Sequence, residues 1–250
     1  MPYTLAHPAL VVPLRRWVVL GAAVAGALAP DTAYYLPPWS IAAVSYPGTD
    51  VTHSLLGAAG LDAAVGLVLW LLWRWPLRPA LLGSLPAPWR DAALAATRDV
   101  LPGRSVPVRV LLLYASSAIG ALSHVALDVL THDRPDTPEV LVDERVLGLP
   151  IASQLQRGLS VVGLALLAWW IWRWLAGVAP LRTFRLTGRL VGLLTTAAVG
   201  ALAVTARHLA TTPLASRSDA LIQTLVGLTE GAALGLLVAA LVLVARPAPS

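Results

Sequence analysis

The chain has 250 residues, of which 57% are hydrophobic and only 12% are charged. A soluble domain carries about 25% charged residues, so this composition predicts an integral membrane protein. The absence of cysteine excludes disulfides, thiolate catalysis and cysteine-rich zinc fingers. The net charge of +5 does not imply nucleic-acid binding, because arginines in a membrane protein serve first as topological anchors.

The length allows about six hydrophobic helices joined by short loops. We therefore predict an all-α fold, a polytopic membrane helical bundle in a single membrane domain over residues 1–250. Residues 2–135 would form a half that carries a metal site, and residues 136–250 would add further transmembrane helices. No cleavable secretory signal is evident, because the first ten residues contain two prolines and no arginine or lysine.

The amino-terminal segment is apolar but unsuited to a simple membrane span. Residues 2–14 are interrupted by two prolines, and residues 17–30 are too few to cross a hydrocarbon core of about 30 Å alone. Two arrangements stay open. The segment forms a first span, or residues 5–17 and 18–29 form a re-entrant hairpin.

Five further hydrophobic segments follow the first one. They are residues 54–73, 110–130, 159–178, 190–206 and 220–244. Arginines concentrate in the loop after the first of these five segments and in the loop after the third. The positive-inside rule therefore predicts that both loops, and both chain termini, lie in the cytoplasm.

A stripe of polar side chains lies at the end of the segment that starts at residue 110. His124, Asp128 and His132 are spaced by four residues, which stacks their side chains along one face of a helix. Two imidazoles and a carboxylate are ligands that zinc accepts, and in apolar surroundings they are costly unless paired or metal-bound. The stripe predicts a metal site, with a polar patch near the lipid headgroups as the alternative.

Other candidate ligands reach the same end of the predicted bundle. Asp31 closes the first segment and His53 opens the second, and the predicted orientation brings both to the face that carries Asp128 and His132. His7 joins them only if the first segment is a hairpin. Candidate ligands from three separate segments therefore gather at one membrane face.

A carboxylate also lies inside the second hydrophobic segment. Asp62 follows His53 by nine residues, which is half a turn on an ideal helix, so the two would not share a face. An ionisable group within a membrane helix is a functional candidate by default. Asp62 would support a metal ligand, pair with another helix, or take a proton during catalysis. Glu230 in the last segment is better explained as a buried contact between helices.

Four stretches of the sequence resemble a known family. PYTLAHPA, APDTAYYL, THSLLGAAGLD and GALSHVALDVLTH resemble the bacterial membrane family catalogued as domain of unknown function 4184, over residues 2–135. That family is similar to a wider group described as membrane-bound metal-dependent hydrolases. The order of histidines and aspartates is also similar to that of zinc-dependent phospholipase C, in which a carboxylate bridges two zinc ions.

The resemblance implies a particular set of ligands. One metal ion would be held by Asp31, His53, His124 and Asp128, and Asp128 would bridge to a second ion bound by His7 and completed by His132. The implied cofactor is a divalent metal of the zinc type, as one or two ions.

These features favour a membrane-bound metal-dependent hydrolase of lipid or phosphate esters in a bacterial cytoplasmic membrane. The metal would lower the pKa of a bound water to about 7, and Asp31 or Asp62 would accept the proton of that water. The expected partners are membrane lipids, with no nucleic acid. Two alternatives stay open: a transporter or metal carrier, which would place these residues nearer the bilayer midplane, and a non-catalytic structural or assembly protein.

Overall fold

The structure is a computed structural model that describes residues 3–35, 48–96, 103–133, 136–146, 148–178, 184–211 and 217–245. Its longer α-helices are α1 (Leu20–Leu28), α2 (Leu55–Ser84), α3 (Ala87–Ala96), α4 (Val106–Thr131), α5 (Ile151–Val178), α6 (Gly188–Thr211) and α7 (Arg217–Ala245). Of these, five are long and apolar enough to cross a membrane, namely all except α1 and α3. The predicted all-α membrane-type bundle is confirmed.

The first hydrophobic segment is shorter than a span. Helix α1 has nine residues, which at 1.5 Å per residue is about 14 Å. Two stretches of 3₁₀ helix precede it, Thr4–Leu10 and Val12–Leu14, where prolines remove backbone donors. A third 3₁₀ stretch, Pro30–Tyr35, follows α1 and carries Asp31. The hydroxyl of Thr4 donates a hydrogen bond to Asp31 Oδ2 (2.5 Å), so the two ends of this segment meet, as the hairpin arrangement predicts.

Helix α2 contains two π-helical turns, at Ala58–Asp62 and at Trp73–Leu77. A π turn inserts extra backbone into the helix and rotates the side chains that follow, and such turns are frequent at functional sites. The helix begins after Ser54, whose hydroxyl accepts a hydrogen bond from the Gly57 backbone amide (2.9 Å). His53 therefore lies in the turn that enters α2 and not on the helix itself.

Short local structures follow α4 among the described residues. The helix ends at Thr131, and His132 is extended, with φ −125° and ψ 155°. A one-turn helix, Glu139–Asp143, leads into an antiparallel pair of two-residue strands, Arg145–Val146 and Leu149–Pro150. Gly148 in the turn between the strands has a φ of 79°, a conformation that favours glycine.

The contacts divide the chain into two compact units. The first unit comprises residues 1–33, 41–70 and 99–177, and the second comprises residues 34–40, 71–98 and 178–250. The boundary falls within α2. The single membrane domain over residues 1–250 stays a prediction.

In the first unit, α1 packs against α4 through small residues. A Cβ atom added to Gly120 of α4 would lie 2.0 Å from the Ala23 carbonyl oxygen of α1, and one added to Gly26 would lie 2.0 Å from the Ser117 carbonyl oxygen. Only glycine permits backbones to approach this closely, which is the usual way that membrane helices pack. The close approach brings the end of α1 to the side chains of α4.

In the second unit, α6 and α7 form a helical hairpin with the same kind of seam. A Cβ atom on Gly200 would lie 2.2 Å from the Gly231 carbonyl oxygen, and one on Gly235 would lie 2.3 Å from the Thr196 carbonyl oxygen. Glu230 faces this seam and is buried, with 4% of its surface exposed. His208 of α6 contacts it, with 2.8 Å between Nε2 and Oε2. Glu230 thus makes a buried contact between helices.

Candidate metal site

Five of the predicted site residues converge in the first unit. His7, Asp31, His53, His124 and Asp128 are all buried, and none is more than 3% exposed. They come from four places in the chain: the first 3₁₀ stretch, the 3₁₀ turn after α1, the turn before α2, and α4. Because the amino-terminal segment folds back as a hairpin, His7 lies at the same end as Asp31 and joins this group.

Two imidazoles and two carboxylates enclose one point. Asp31 Oδ1 lies 3.3 Å from His53 Nε2 and 3.5 Å from His124 Nε2. Asp128 Oδ2 lies 3.4 Å from each of the same two nitrogens. We refer to these four residues as the His/Asp cluster.

The nitrogen–oxygen distances in the cluster are close to those between neighbouring ligands of a zinc ion. Zinc bonds to nitrogen and oxygen ligands at about 2.0–2.1 Å, and a tetrahedron with such arms has edges of about 3.3–3.4 Å. The four nitrogen–oxygen distances in the cluster are 3.3–3.5 Å. Asp31 Oδ1 and His124 Nε2 have no hydrogen-bond partner among the described residues despite this proximity. Buried polar atoms are nearly always paired, so atoms held close but not bonded to one another fit a shared cation.

Groups behind the cluster orient both imidazoles. The Nδ1–H of His124 donates to the backbone carbonyl of Ala27 at the end of α1 (2.8 Å), which leaves its Nε2 as the lone-pair nitrogen. His53 Nδ1 lies 3.0 Å from the Thr52 hydroxyl, so its Nε2 is likewise the nitrogen that faces the carboxylates. A hydrogen bond at one ring nitrogen fixes the tautomer and orientation of a metal-binding histidine.

The second oxygen of Asp128 faces a different pair of histidines. Asp128 Oδ1 lies 3.8 Å from His7 Nε2 and 3.4 Å from His132 Nδ1. The ring of His7 stacks on that of His124, with centroids 3.6 Å apart and planes inclined by 12°. His7, His124 and Asp128 each offer a ligand atom within 4.8 Å of the others. Asp128 therefore stands between two groups of histidines, the position that a bridging carboxylate takes.

His132 lies beside the cluster, with its side chain 20% exposed. Because α4 ends one residue earlier, the three-residue stripe does not continue along a helix face to His132. Its Nδ1 is within 3.2 Å of the Asp128 backbone carbonyl and 3.1 Å of the Thr131 hydroxyl. These oxygens surround Nδ1 and favour a proton there, so His132 holds Asp128 in place in this structure. Its role as a ligand stays a prediction.

Asp62 is fully buried, and neither of its carboxylate oxygens has a hydrogen-bond partner among the residues described. Asp62 and His53 do not follow the spacing of one ideal helix, because His53 precedes the helix and the π turn at Ala58–Asp62 rotates the side chains. Asp62 lies close enough to His53 and His124 to interact with them electrostatically. Asp62 therefore belongs to the surroundings of the cluster.

The cluster holds charge in spite of its burial. Burial raises the pKa of Asp31, but the adjacent His124 and His53 rings outweigh it and hold that pKa well below its usual range. Burial lowers the pKa of His53, but the Asp128 and Asp31 carboxylates outweigh it and raise the pKa to about 9. For His132, burial lowers the pKa, and the nearby Asp128 only partly opposes this. A cation that binds here must displace a proton from His53, because a histidine ligand has to be neutral.

Three supporting groups are absent from the predicted site: the Thr4 hydroxyl, the Thr52 hydroxyl and the Ala27 carbonyl. Thr52 has a weak signal in the sequence, because it directly precedes His53. The other two have none, since their positions depend on how the amino-terminal segment folds back and how closely α1 packs on α4.

Comparisons with known proteins identify a family whose function is unknown. The profile of a family described as "Domain of unknown function (DUF4184)" matches residues 1–241. No curated protein matches the chain. No solved structure matches it either.

Proposed function

The chain belongs to the family described as domain of unknown function (DUF4184), and from the geometry of its His/Asp cluster we propose that it is a membrane-bound metal-dependent hydrolase. The proposed substrates are lipid or phosphate esters. The proposed cofactor is zinc, held by Asp31, His53, His124 and Asp128, with a second ion between Asp128 and His7. This assignment keeps the enzymatic class that the sequence favours.

One observation carries the proposal: ligand atoms from three parts of the chain make four nitrogen–oxygen approaches of 3.3–3.5 Å, the separation of neighbouring ligands on a zinc ion. Two carboxylates and two neutral imidazoles carry a formal charge of −2, which a divalent cation balances. Without a cation, two carboxylates remain buried, and they require protons on the imidazoles to offset their charge.

A zinc-type ion supplies Lewis acidity, which activates water and polarises an ester oxygen. The protein's own groups divide the remaining tasks. Both oxygens of Asp31 are engaged, because Oδ1 faces the imidazoles and Oδ2 accepts a hydrogen bond from Thr4. Both oxygens of Asp62 lack a hydrogen-bond partner within the part of the chain that the structure describes. We therefore assign proton acceptance to Asp62 and ligand binding to Asp31.

The position of the cluster along the helices supports an ester at the membrane surface. His53 lies two residues before α2 begins, and Asp128 lies three residues before α4 ends. The cluster is therefore near the ends of two candidate spans, which is the level of lipid headgroups. A carrier would need such residues near the midplane, where both sides of the membrane can reach them.

The test combines metal analysis with hydrolysis by one detergent-purified preparation. Wild type should contain one or two zinc-type ions per chain, and His124→Ala should contain none. His208→Ala, in the second unit, is the matched control and should keep the full content. Hydrolysis of a chromogenic phosphodiester and of a short-chain phosphatidylcholine should be lost on chelation and restored by zinc.

Chelation should also destabilise the protein. A ligand present at 100 times its dissociation constant stabilises the folded state by about 2.7 kcal/mol, and removal of the metal should cost about this much in the free energy of unfolding. Metal-free wild type would overturn the proposal. Bound metal without turnover would leave a metal-stabilised structural protein, and metal flux into liposomes would identify a carrier.

A further inference from the structure

A groove in the second unit lies where three membrane helices end or begin. It has a volume of about 220 Å³ and is lined by Pro79, Ala80, Gly83, Ser84, Arg189 and Leu243. Span α2 ends at Ser84, span α6 begins at Gly188, and the apolar part of α7 ends at Leu243. The groove therefore lies at the boundary between hydrocarbon and headgroups.

The walls of the groove suit a hydrocarbon chain. Gly83 leaves open space, because a Cβ atom added there would meet no atom within 4 Å. The hydroxyl of Ser84 donates to the Ala80 carbonyl (2.6 Å), so this polar side chain is already satisfied within its helix. Thr187 fixes the rim, because its hydroxyl donates to the Ser84 carbonyl (2.5 Å) and accepts a hydrogen bond from the Leu190 amide (3.1 Å).

The rim carries a positive charge that no described carboxylate neutralises. Arg189 is exposed and forms no ion pair with any residue that the structure describes. Arg185, four residues earlier, is also exposed. Two described carboxylates of this unit have other partners: Asp91 lies beside Arg90, and Glu230 contacts His208.

We propose that this groove binds one anionic phospholipid. Its phosphate would lie against Arg189, and the upper part of an acyl chain would lie against Ala80, Gly83 and Leu243. An arginine at the headgroup level attracts anionic lipid, and a basic site between transmembrane helices adds selectivity for the headgroup. This site is separate from the His/Asp cluster and does not depend on the proposed hydrolase activity.

The test measures which lipids remain on the purified protein. Wild type is exchanged into detergent micelles doped with phosphatidylglycerol or phosphatidylcholine of the same acyl chains, and bound lipid is counted by native mass spectrometry. We expect one retained phosphatidylglycerol, with about a fivefold preference over phosphatidylcholine, as one arginine near the membrane surface would give. Arg189→Gln should abolish the preference. Arg90→Gln removes a cation of the same unit from outside the groove and should leave the preference intact.

Two further variants separate the lipid site from a general loss of folding. Arg189→Lys keeps the charge and should retain most of the preference, while Gly83→Leu fills the groove and should reduce retention of both lipids. Competition by inorganic phosphate without an effect of Gly83→Leu would identify a phosphate site and overturn the proposal. Equal retention of the two lipids by wild type would also overturn it. Metal content measured in the same preparations should not change.

Discussion

Both units place histidine against carboxylate inside apolar helices, but the two arrangements differ in one respect. In the second unit, His208 Nε2 lies 2.8 Å from Glu230 Oε2, and its Nδ1 lies 3.0 Å from Gln223 Oε1. Both ring nitrogens therefore have partners. In the first unit, the corresponding distances are 3.3–3.8 Å, and Asp31 Oδ1, His124 Nε2 and Asp128 Oδ1 have no hydrogen bond among the described residues.

We refer to His208 and Glu230, which contact each other directly, as the closed pair, and to the His/Asp cluster, whose facing atoms lie 3.3–3.5 Å apart, as the open set. His208 and Glu230 meet each other's need for a hydrogen-bond partner, so the pair holds α6 against α7. The His/Asp cluster is held apart by its own surroundings, with Ala27 and Thr52 on the outer ring nitrogens and Thr4 on Asp31. On the proposed function, a cation would complete the His/Asp cluster, whereas His208 and Glu230 already contact each other directly at 2.8 Å. Histidine and carboxylate in a membrane helix thus indicate function only together with their spacing.

The largest effect on metal content is expected when the central carboxylate of the cluster is removed. Asp128→Ala eliminates the oxygen that faces both His53 and His124 and the one that faces His7. We expect the metal content, measured by mass spectrometry of the purified protein, to fall to background. Glu230→Gln is the matched control in the closed pair and should leave it unchanged. Equal metal content in the two variants would contradict the distinction between the units.

A smaller effect is expected from breaking the closed pair. Glu230→Ala leaves the partly exposed His208 without its carboxylate, which should lower the free energy of unfolding by about 1–2 kcal/mol, less than for a fully buried pair. Replacing both residues by leucine should recover most of that loss, because no uncompensated polar group then remains. The measurement is unfolding in mixed micelles with increasing denaturing detergent. A double variant as unstable as the single one would show that the pair is more than a mutual contact.

The smallest effect concerns a supporting hydroxyl. Thr52→Val removes the group 3.0 Å from His53 Nδ1 and keeps the side-chain volume. Loss of such an orienting contact weakens metal binding by about tenfold, or 1.4 kcal/mol. Competition with a fluorescent zinc chelator measures this. Thr224→Val removes a hydroxyl that donates to the Ala220 carbonyl within α7, and its metal affinity should match that of wild type.

Much of this architecture follows from composition and spacing. The long apolar segments predict the spans, and the four-residue step from His124 to Asp128 predicts a shared helix face, because helix geometry is local. Asp31 and His53 are also predictable, since each borders a hydrophobic segment at the same end of the bundle. In these cases a residue's position along one helix already determines its position in the site.

The remainder depends on packing that no local pattern encodes. His7 reaches the cluster because 3₁₀ turns and a nine-residue α1 fold back on themselves. Asp62 turns inward because of a π turn, which shifts the helical phase that the sequence argument assumed. His132 leaves the stripe because α4 ends at Thr131. Each departure comes from a deviation from regular helix geometry, and such deviations are set by tertiary contacts.

The hydrogen bond from His124 to the Ala27 carbonyl joins residues 97 positions apart. During synthesis the first thirty residues must therefore wait until most of the first unit has emerged from the ribosome and α4 has docked. On the proposed function, a metal ion would bind only after that stage, and its capture would mark completed assembly of the amino-terminal half. We expect nascent chains stalled before α4 to carry no metal, whatever its concentration.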